Sequence, residues 1–383
     1  MQRGLSLYYL CLHAPNSKKR DMKENSSIIE LFFHLIRCGI GKQGELPYTP
    51  SHDEWQELFE IAKKQTLAGI VFAAAEQLPP QQRPPKETIL QLFTLCEKIK
   101  KQNAELDKKC AIVSAKFKSE GFNNCILKGQ GIAQLYPKPS LRTPGDIDIW
   151  LGGGDKKIIE YVRKHIPDSL PTYHHIDFPI LPGLEIEVHY RPSWLYNPIT
   201  NRRLQRYFET VAQEQFGNEI TTADGSFTAP TLAFNRIYIL LHIYRHLFFE
   251  GIGMRQMLDY YFVLQHDITP NERAEHAELL KRFGLMKFAG AATYAMQKMF
   301  GLESERMLAE PDERLGELLM REIMIAGNFG KYDNRYDLGK QDYSFKRVVE
   351  IMRRNMTLLT RFPGETLWSP FFKIWHYFWR KRH

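Results

Sequence analysis

Residues 126–151 read ILKGQGIAQLYPKPSLRTPGDIDIWL, and the fold follows from how this stretch is parsed. An apolar run, Cys125-Ile126-Leu127, stops at Lys128-Gly129-Gln130-Gly131, after which Ile132 to Tyr136 carries helical spacing. Glycines at a strand-to-helix turn let the backbone approach an anion, and the first amides of the helix point toward it. Lys128, Gly129 and Gln130 are therefore candidate phosphate contacts. Beyond a proline-rich loop that contains Arg142, the chain alternates again through Gly145-Asp146-Ile147-Asp148-Ile149-Trp150. Side chains of a strand alternate in direction, so Asp146 and Asp148 share one face while Ile147 and Ile149 share the other. Two neighbouring carboxylates repel each other, and a divalent cation holds both ionised.

A third acid is expected on a later strand. Leu184 to Tyr190, LEIEVHY, places Glu185, Glu187 and His189 on one face. Pro182-Gly183 turns this strand back on Thr172 to Ile180, which carries His174, His175 and Asp177. Imidazole is a poor ligand for magnesium, so His174 and His175 are expected to hydrogen-bond near substrate or to lie on the surface. His189, alternating with Glu187, is expected to line the site.

In their order, the Leu-Lys-Gly turn, the Tyr136-Pro137 step, Arg142, the Gly-Asp-Ile-Asp strand and Glu187-Val188-His189-Tyr190 resemble a family of uncharacterised bacterial nucleotidyltransferases. That family lies within the superfamily that includes DNA polymerase beta. The resemblance is dense between Ile126 and Leu195. Where the superfamily usually has Gly-Ser, this chain has Lys128-Gly129. What the resemblance implies is a magnesium-dependent transfer of a nucleoside monophosphate from a nucleoside triphosphate to an acceptor hydroxyl, with two metal ions and manganese as the alternative ion. Asp146, Asp148 and Glu187 would be the catalytic and metal-holding acids, with Glu185 the rival to Glu187. Lys128, Gly129, Gln130 and Arg142 would hold the nucleotide. The implied fold is α+β, a small mixed β-sheet nucleotidyltransferase core flanked by N-terminal and C-terminal helical regions.

Around that core, residues 1–26 are expected to form a disordered tail, or an extension upstream of a natural start at Met22. Residues 27–110 read as a helical region, 111–200 as the catalytic core and 201–383 as a C-terminal helical domain. In the first region a helix capped at Ser26 or Ser27 reaches Gly39, an amphipathic helix covers Trp55 to Gln77, and a long helix covers Lys86 to Ser119. The lysines from Lys98 to Lys109 read as a solvated face. In the C-terminal region, Leu232 to Phe249 is a buried helix with His242 and His246 one turn apart, and Met254 to Gln265 is a second. Core histidines are the default reading of that pair, and Arg255 and Asp259, one turn apart, are expected either to pair on the helix surface or to reach toward the site. The resemblance would instead send His242, His246, Arg255 or Asp259 to an acceptor pocket. The last residues, FFKIWHYFWRKRH, read as a terminal helix laid into an apolar groove of its own protein, with weak contact to a membrane surface as the alternative.

Composition bounds the rest. A net charge of +8 over 383 residues is modest, and the lysines are too scattered for a nucleic-acid face. No segment is long and apolar enough for a transmembrane span. The five cysteines are scattered without a Cys-x-x-Cys pair, which argues for the reducing cytoplasm over a disulfide framework or structural zinc. Two other functions keep the same acids in view. One is a catalytically weak nucleotide-binding regulator or toxin–antitoxin component, and the other is a glycosyltransferase using Asp-x-Asp with a nucleotide sugar.

Overall fold

The alternation at residues 147–151 becomes the second strand of a four-stranded mixed sheet, in the order β1-β2-β4-β3. The computed structural model describes residues 16–333, 335, 345–356 and 358–382. The elements run α1 (Asn16–Gly39), α2 (His52–Lys64), α3 (Ala68–Gln77), α4 (Lys86–Ser119), β1 (Asn124–Leu127), α5 (Gly129–Ala133), β2 (Ile147–Leu151), α6 (Asp155–His165), β3 (His175–Asp177) and β4 (Ile186–His189). Then follow α7 (Pro198–Gly217), β5 (Glu219–Thr222), β6 (Gly225–Thr228), α8 (Leu232–Phe249), α9 (Met254–Leu264), α10 (Pro270–Arg282), α11 (Met286–Phe300), α12 (Glu313–Ala326), α13 (Phe345–Met356) and α14 (Pro363–Arg382). The architecture is α+β, a small mixed sheet among helices.

Strand β2 pairs antiparallel with β1 and parallel with β4, and β3 returns antiparallel on β4. Ile126, Ile147, Ile149 and Leu151 enter one apolar cluster with α6 and the C-terminal half of α4. Cys125, Leu127 and Trp150 enter a second and larger cluster made chiefly by helices on the opposite face. The sheet is thus covered on both sides, and Asp148 is roofed instead of solvated.

Several boundaries differ from the sequence expectation. Helix α1 begins at Asn16, upstream of the expected cap at Ser26 or Ser27, so part of the expected tail is helical, and residues 1–15 lie outside the described residues. The single helix expected over Trp55 to Gln77 is broken at Thr66, whose φ of +56° takes it out of helical space. The break has a use: the Thr66 carbonyl accepts the Thr143 hydroxyl at 2.9 Å. The expected boundary between residues 110 and 111 falls inside α4, which contributes Leu92 and Cys96 to one cluster and Val113 and Phe117 to the other. The C-terminal region is not wholly helical, since β5 and β6 form a hairpin around Ala223-Asp224. The Asp224-Gly225 step is a recognised hairpin signal that a helical reading passes over.

The loop between α5 and β2 delivers Arg142 and the first acid, and four elements hold it. From α3, Gly69 comes so close to the Leu141 carbonyl oxygen that an added Cβ would lie 2.0 Å from it. From α4, the buried Asn103 amide donates to the carbonyls of Ser140 and Arg142 at 2.9 and 2.8 Å. Thr66 accepts from Thr143 as described, and from α9 the Arg255 guanidinium donates to the Thr143 carbonyl at 2.7 Å. A loop pinned in this way presents Asp146 in one position.

At the C-terminus, Phe372 and Trp375 of α14 meet Tyr173, and Phe372 also meets Trp194 and Tyr196. One face of α14 is therefore laid on its own protein, while Phe371, Ile374 and Phe378 remain exposed. No helix among the described residues is long and apolar enough to cross a membrane. Cys38, Cys96, Cys110 and Cys125 are buried free thiols.

Candidate active site

Parallel pairing of β2 with β4 sets Asp148 directly beside Glu187, and Trp150 beside His189. Register therefore favours Glu187 over Glu185 as the acid nearest Asp148; Glu185 is exposed and its backbone carbonyl serves the Ile147 amide. Asp148 is almost fully buried, and both of its oxygens are engaged. Its Oδ1 lies 2.8 Å from His189 Nε2, and its Oδ2 lies 2.8 Å from Lys128 Nζ. His189 Nε2 also lies 3.3 Å from Glu187 Oε2.

A small pocket, with a cavity volume of about 40 Å³, opens over the end of β2. Its walls bring together Lys128, Gly129, Arg142, Asp146, Asp148, His242, Arg255 and Asp259. Residues separated by more than a hundred positions in the chain thus converge on Asp-Ile-Asp. Glu187 and His189 reach the same place through Asp148.

Electrostatics separate the two aspartates. Asp146 opens to solvent, and its carboxyl is raised to about 6, chiefly by the charge on Asp148. Asp148 goes the other way: burial opposes its charge, but the Lys128 ammonium and the His189 hydrogen bond hold it well below the usual carboxylate range. Lys128 is raised in turn, since Asp148 outweighs its burial. Glu187 is lowered against its burial by His175 and His189.

Burial disfavours charge on His189, yet the hydrogen bonds it donates to Asp148 and Glu187 raise its imidazole to about 9. The folded chain therefore keeps a proton that the unfolded chain releases above about pH 6.5. The stability contributed by this proton is whole below pH 6.5 and is lost as pH rises through 9. In chelator, the unfolding free energy of wild type should decline between about pH 6.5 and 9, and His189→Gln should flatten that decline. Parallel denaturation curves for the two proteins across this window would remove the assignment.

The Lys128-Gly129 turn is strained. Lys128 has φ +54° and ψ −135°, outside the regions a side-chain-bearing residue ordinarily occupies. Conformations of this kind raise the energy by roughly 1–3 kcal/mol and concentrate at functional sites. Here the strain places the Lys128 ammonium on Asp148 Oδ2, the position for which a divalent cation would compete. The acidic and imidazole groups around Asp148 could hold such a cation, and Asp146 lines the pocket beside them. Asp148, Glu187 and His189 offer one donor atom each within 4.8 Å of one another.

Four expected nucleotide contacts or pocket residues have other partners. Gln130 is buried and its amide donates to Asp107 of α4, away from the pocket. Arg142 is buried and forms a two-pronged bridge to Asp259, Nε to Oδ1 and Nη2 to Oδ2, both at 2.8 Å. The Tyr136 hydroxyl donates to the same Asp259 oxygen at 2.6 Å. Asp259 and Arg255 are accordingly not a surface pair: both are buried, and Asp259 pairs with Arg142 while Arg255 reaches the loop before Asp146. A sequence in which Arg142 and Asp259 stand 117 positions apart gives no local sign of that bridge. His242 lines the pocket, with His246 behind it at 3.1 Å between Nε2 atoms.

Sequence reasoning passed over one group. His174 and His175 are not surface residues; both are partly buried, and they gather with His189 beneath Trp194. Alternation alone would have put His175 with Asp177 and, across the hairpin, with Glu187 and His189.

A model described as uncharacterised nucleotidyltransferase matches residues 51–301. No curated protein matches the chain. Among solved structures, an antigenic nucleotidyltransferase-like protein from Paracoccidioides brasiliensis is similar at 12% identity. The similarity covers 46% of this chain and 88% of that one, with a TM-score of 0.27, too low to argue from.

Proposed function

The chain belongs to the family of uncharacterised nucleotidyltransferases, and from that premise we propose that it transfers a nucleoside monophosphate from a nucleoside triphosphate to an acceptor hydroxyl. The observation that carries the reading is the convergence of Asp146, Asp148 and, across the β2–β4 register, Glu187 beside the strained Lys128-Gly129 turn. Magnesium held by these acids would neutralise the triphosphate and lower the pKa of the acceptor hydroxyl.

Each residue then has a task. Asp146, exposed and repelled by Asp148, is the acid most ready to accept a cation at the pocket mouth. Lys128 is the mobile countercharge: displaced from Asp148, its ammonium is within reach of phosphate oxygens as a compact point charge. Glu187, partly open to solvent, takes the proton of the acceptor as its oxygen attacks the α-phosphorus. The new P–O bond forms as the bond to pyrophosphate breaks, and pyrophosphate departs. Arg255 and the Arg142–Asp259 bridge keep the loop before Asp146 in place and do no chemistry. Catalysis of this kind is chiefly positioning and charge neutralisation.

One observation favours the second reading, a nucleotide-binding regulator. Both oxygens of Asp148 already have cationic or hydrogen-bonding partners within the chain. Calorimetry with ATP, GTP, CTP and UTP, each with and without magnesium, tests both readings. Binding of one triphosphate that needs magnesium and is lost in Asp146→Asn is expected, and absence of binding to all four would reject both. Binding without pyrophosphate release across a panel of acceptors would select the regulator.

A further inference from the structure

Three imidazoles converge at the β3–β4 end of the sheet in a manner that nucleotidyl transfer does not use. One ring nitrogen from each of His174, His175 and His189 lies within 4.8 Å of the others. His175 Nδ1 is 3.0 Å from His174 Nε2 and 3.3 Å from Glu187 Oε2. Glu187 Oε2 is in turn 3.3 Å from His189 Nε2. Donors held about 2.0–2.1 Å from a tetrahedral zinc ion stand roughly 3.3 Å apart from one another. The 3.0 Å between His174 and His175 is close to one edge of such a site, and the third nitrogen lies within 4.8 Å of both.

The outer contacts point the same way. The Thr172 hydroxyl gives its one proton to the His175 carbonyl at 3.0 Å, so its oxygen accepts from His174 Nδ1 at 3.2 Å. That leaves a lone pair on His174 Nε2, directed at His175. Asp177 lies 3.7 Å from His175 Nε2, the nitrogen turned away from the cluster. His189 is held by Asp148 through Nε2, and its buried Nδ1 has no hydrogen-bond partner among the described residues. Ligating histidines commonly have one nitrogen fixed by an oxygen acceptor and the other free for the metal. Trp194 covers His174 with ring centroids 4.0 Å apart, and Arg245 closes the far side of Trp194 at 3.5 Å.

We propose that His174, His175 and His189 form a second metal site, separate from Asp146 and Asp148, that takes zinc in preference to magnesium. Nitrogen donors suit first-row transition ions, whereas magnesium keeps to oxygen. The proposal does not depend on nucleotidyl transfer. A chain that only bound nucleotide, or bound none, would still hold this ion.

The test uses full-length protein freed of metal by chelator and titrated calorimetrically with Zn²⁺ alone and then with Mg²⁺ alone. One zinc per chain is expected, bound at least a hundredfold more tightly than magnesium. His174→Ala and His175→Ala should each weaken zinc by on the order of a hundredfold, while Asp146→Asn should bind zinc as wild type does. Zinc binding lost in Asp146→Asn and retained in both histidine variants would overturn the proposal, as would zinc no tighter than magnesium. Should the variants fail to fold, X-ray absorption of zinc-loaded wild type decides. Scattering from two or more imidazole rings supports the site, and an oxygen-only shell rejects it.

Discussion

Asp146→Asn is expected to lower magnesium-dependent pyrophosphate release by on the order of a hundredfold or more while leaving the unfolding midpoint at or slightly above that of wild type. The two halves of this expectation have different causes. Activity falls because a neutral amide holds a divalent cation poorly and the triphosphate loses its charge partner. Stability is kept because Asp146 is exposed, and the chief perturbation on its carboxyl is repulsion from Asp148, which the amide removes. Asp148→Asn provides the contrast. It should match the loss of activity but also lower the midpoint, since Lys128 and His189 would each lose an ionised partner in a nearly dry setting. Steady-state release with the triphosphate identified by calorimetry, beside urea denaturation of both variants, checks the pair. Undiminished release in Asp146→Asn would sink the assignment of the acid pair.

Asp259→Asn carries the largest expected loss of stability, about 3–5 kcal/mol. Arg142 is 4% exposed and makes both of its bridge contacts to this one carboxylate, so the substitution strands a buried guanidinium. Tyr136 loses its charged acceptor in the same step. Removing both charges differs in kind from removing one. Asp259→Leu combined with Arg142→Met should recover much of the loss, because replacing a buried pair by apolar groups of like volume is often neutral. Urea midpoints and slopes of the single and double variants test this. A double variant no more stable than Asp259→Asn would show that the bridge matters for more than its own charge balance.

Much of the architecture was legible where periodicity is strong. The Gly-Asp-Ile-Asp alternation marked β2 and the faces of its side chains, and the lysine-studded periodicity marked α4 and its approximate ends. What local pattern does not contain was missed. Thr66 interrupts a helix of good propensity because a distant threonine needs its carbonyl. The β5–β6 hairpin is short and polar, so its turn was a better signal than its strands. In the site, Lys128, Gly129, Asp146 and Asp148 were readable from glycine spacing and paired acids. The partner of Arg142 and the histidine cluster were not, since one depends on a helix far along the chain and the other on the register of β3 against β4. Long-range pairing selected among residues that the sequence had already brought into view.

The Arg142–Asp259 bridge also imposes an order in time. Domains generally fold as units during synthesis, N-terminal first, at about 5–20 residues per second. All three acids and the Lys-Gly turn have been synthesised once Glu187 has been added. The buried guanidinium beside them then waits for Asp259, and the loop before Asp146 waits for Arg255. A nascent chain ending between β4 and α9 therefore holds all three acids while the loop before Asp146 is unsupported, and cannot order this pocket until α9 has closed over the strands encoded before it.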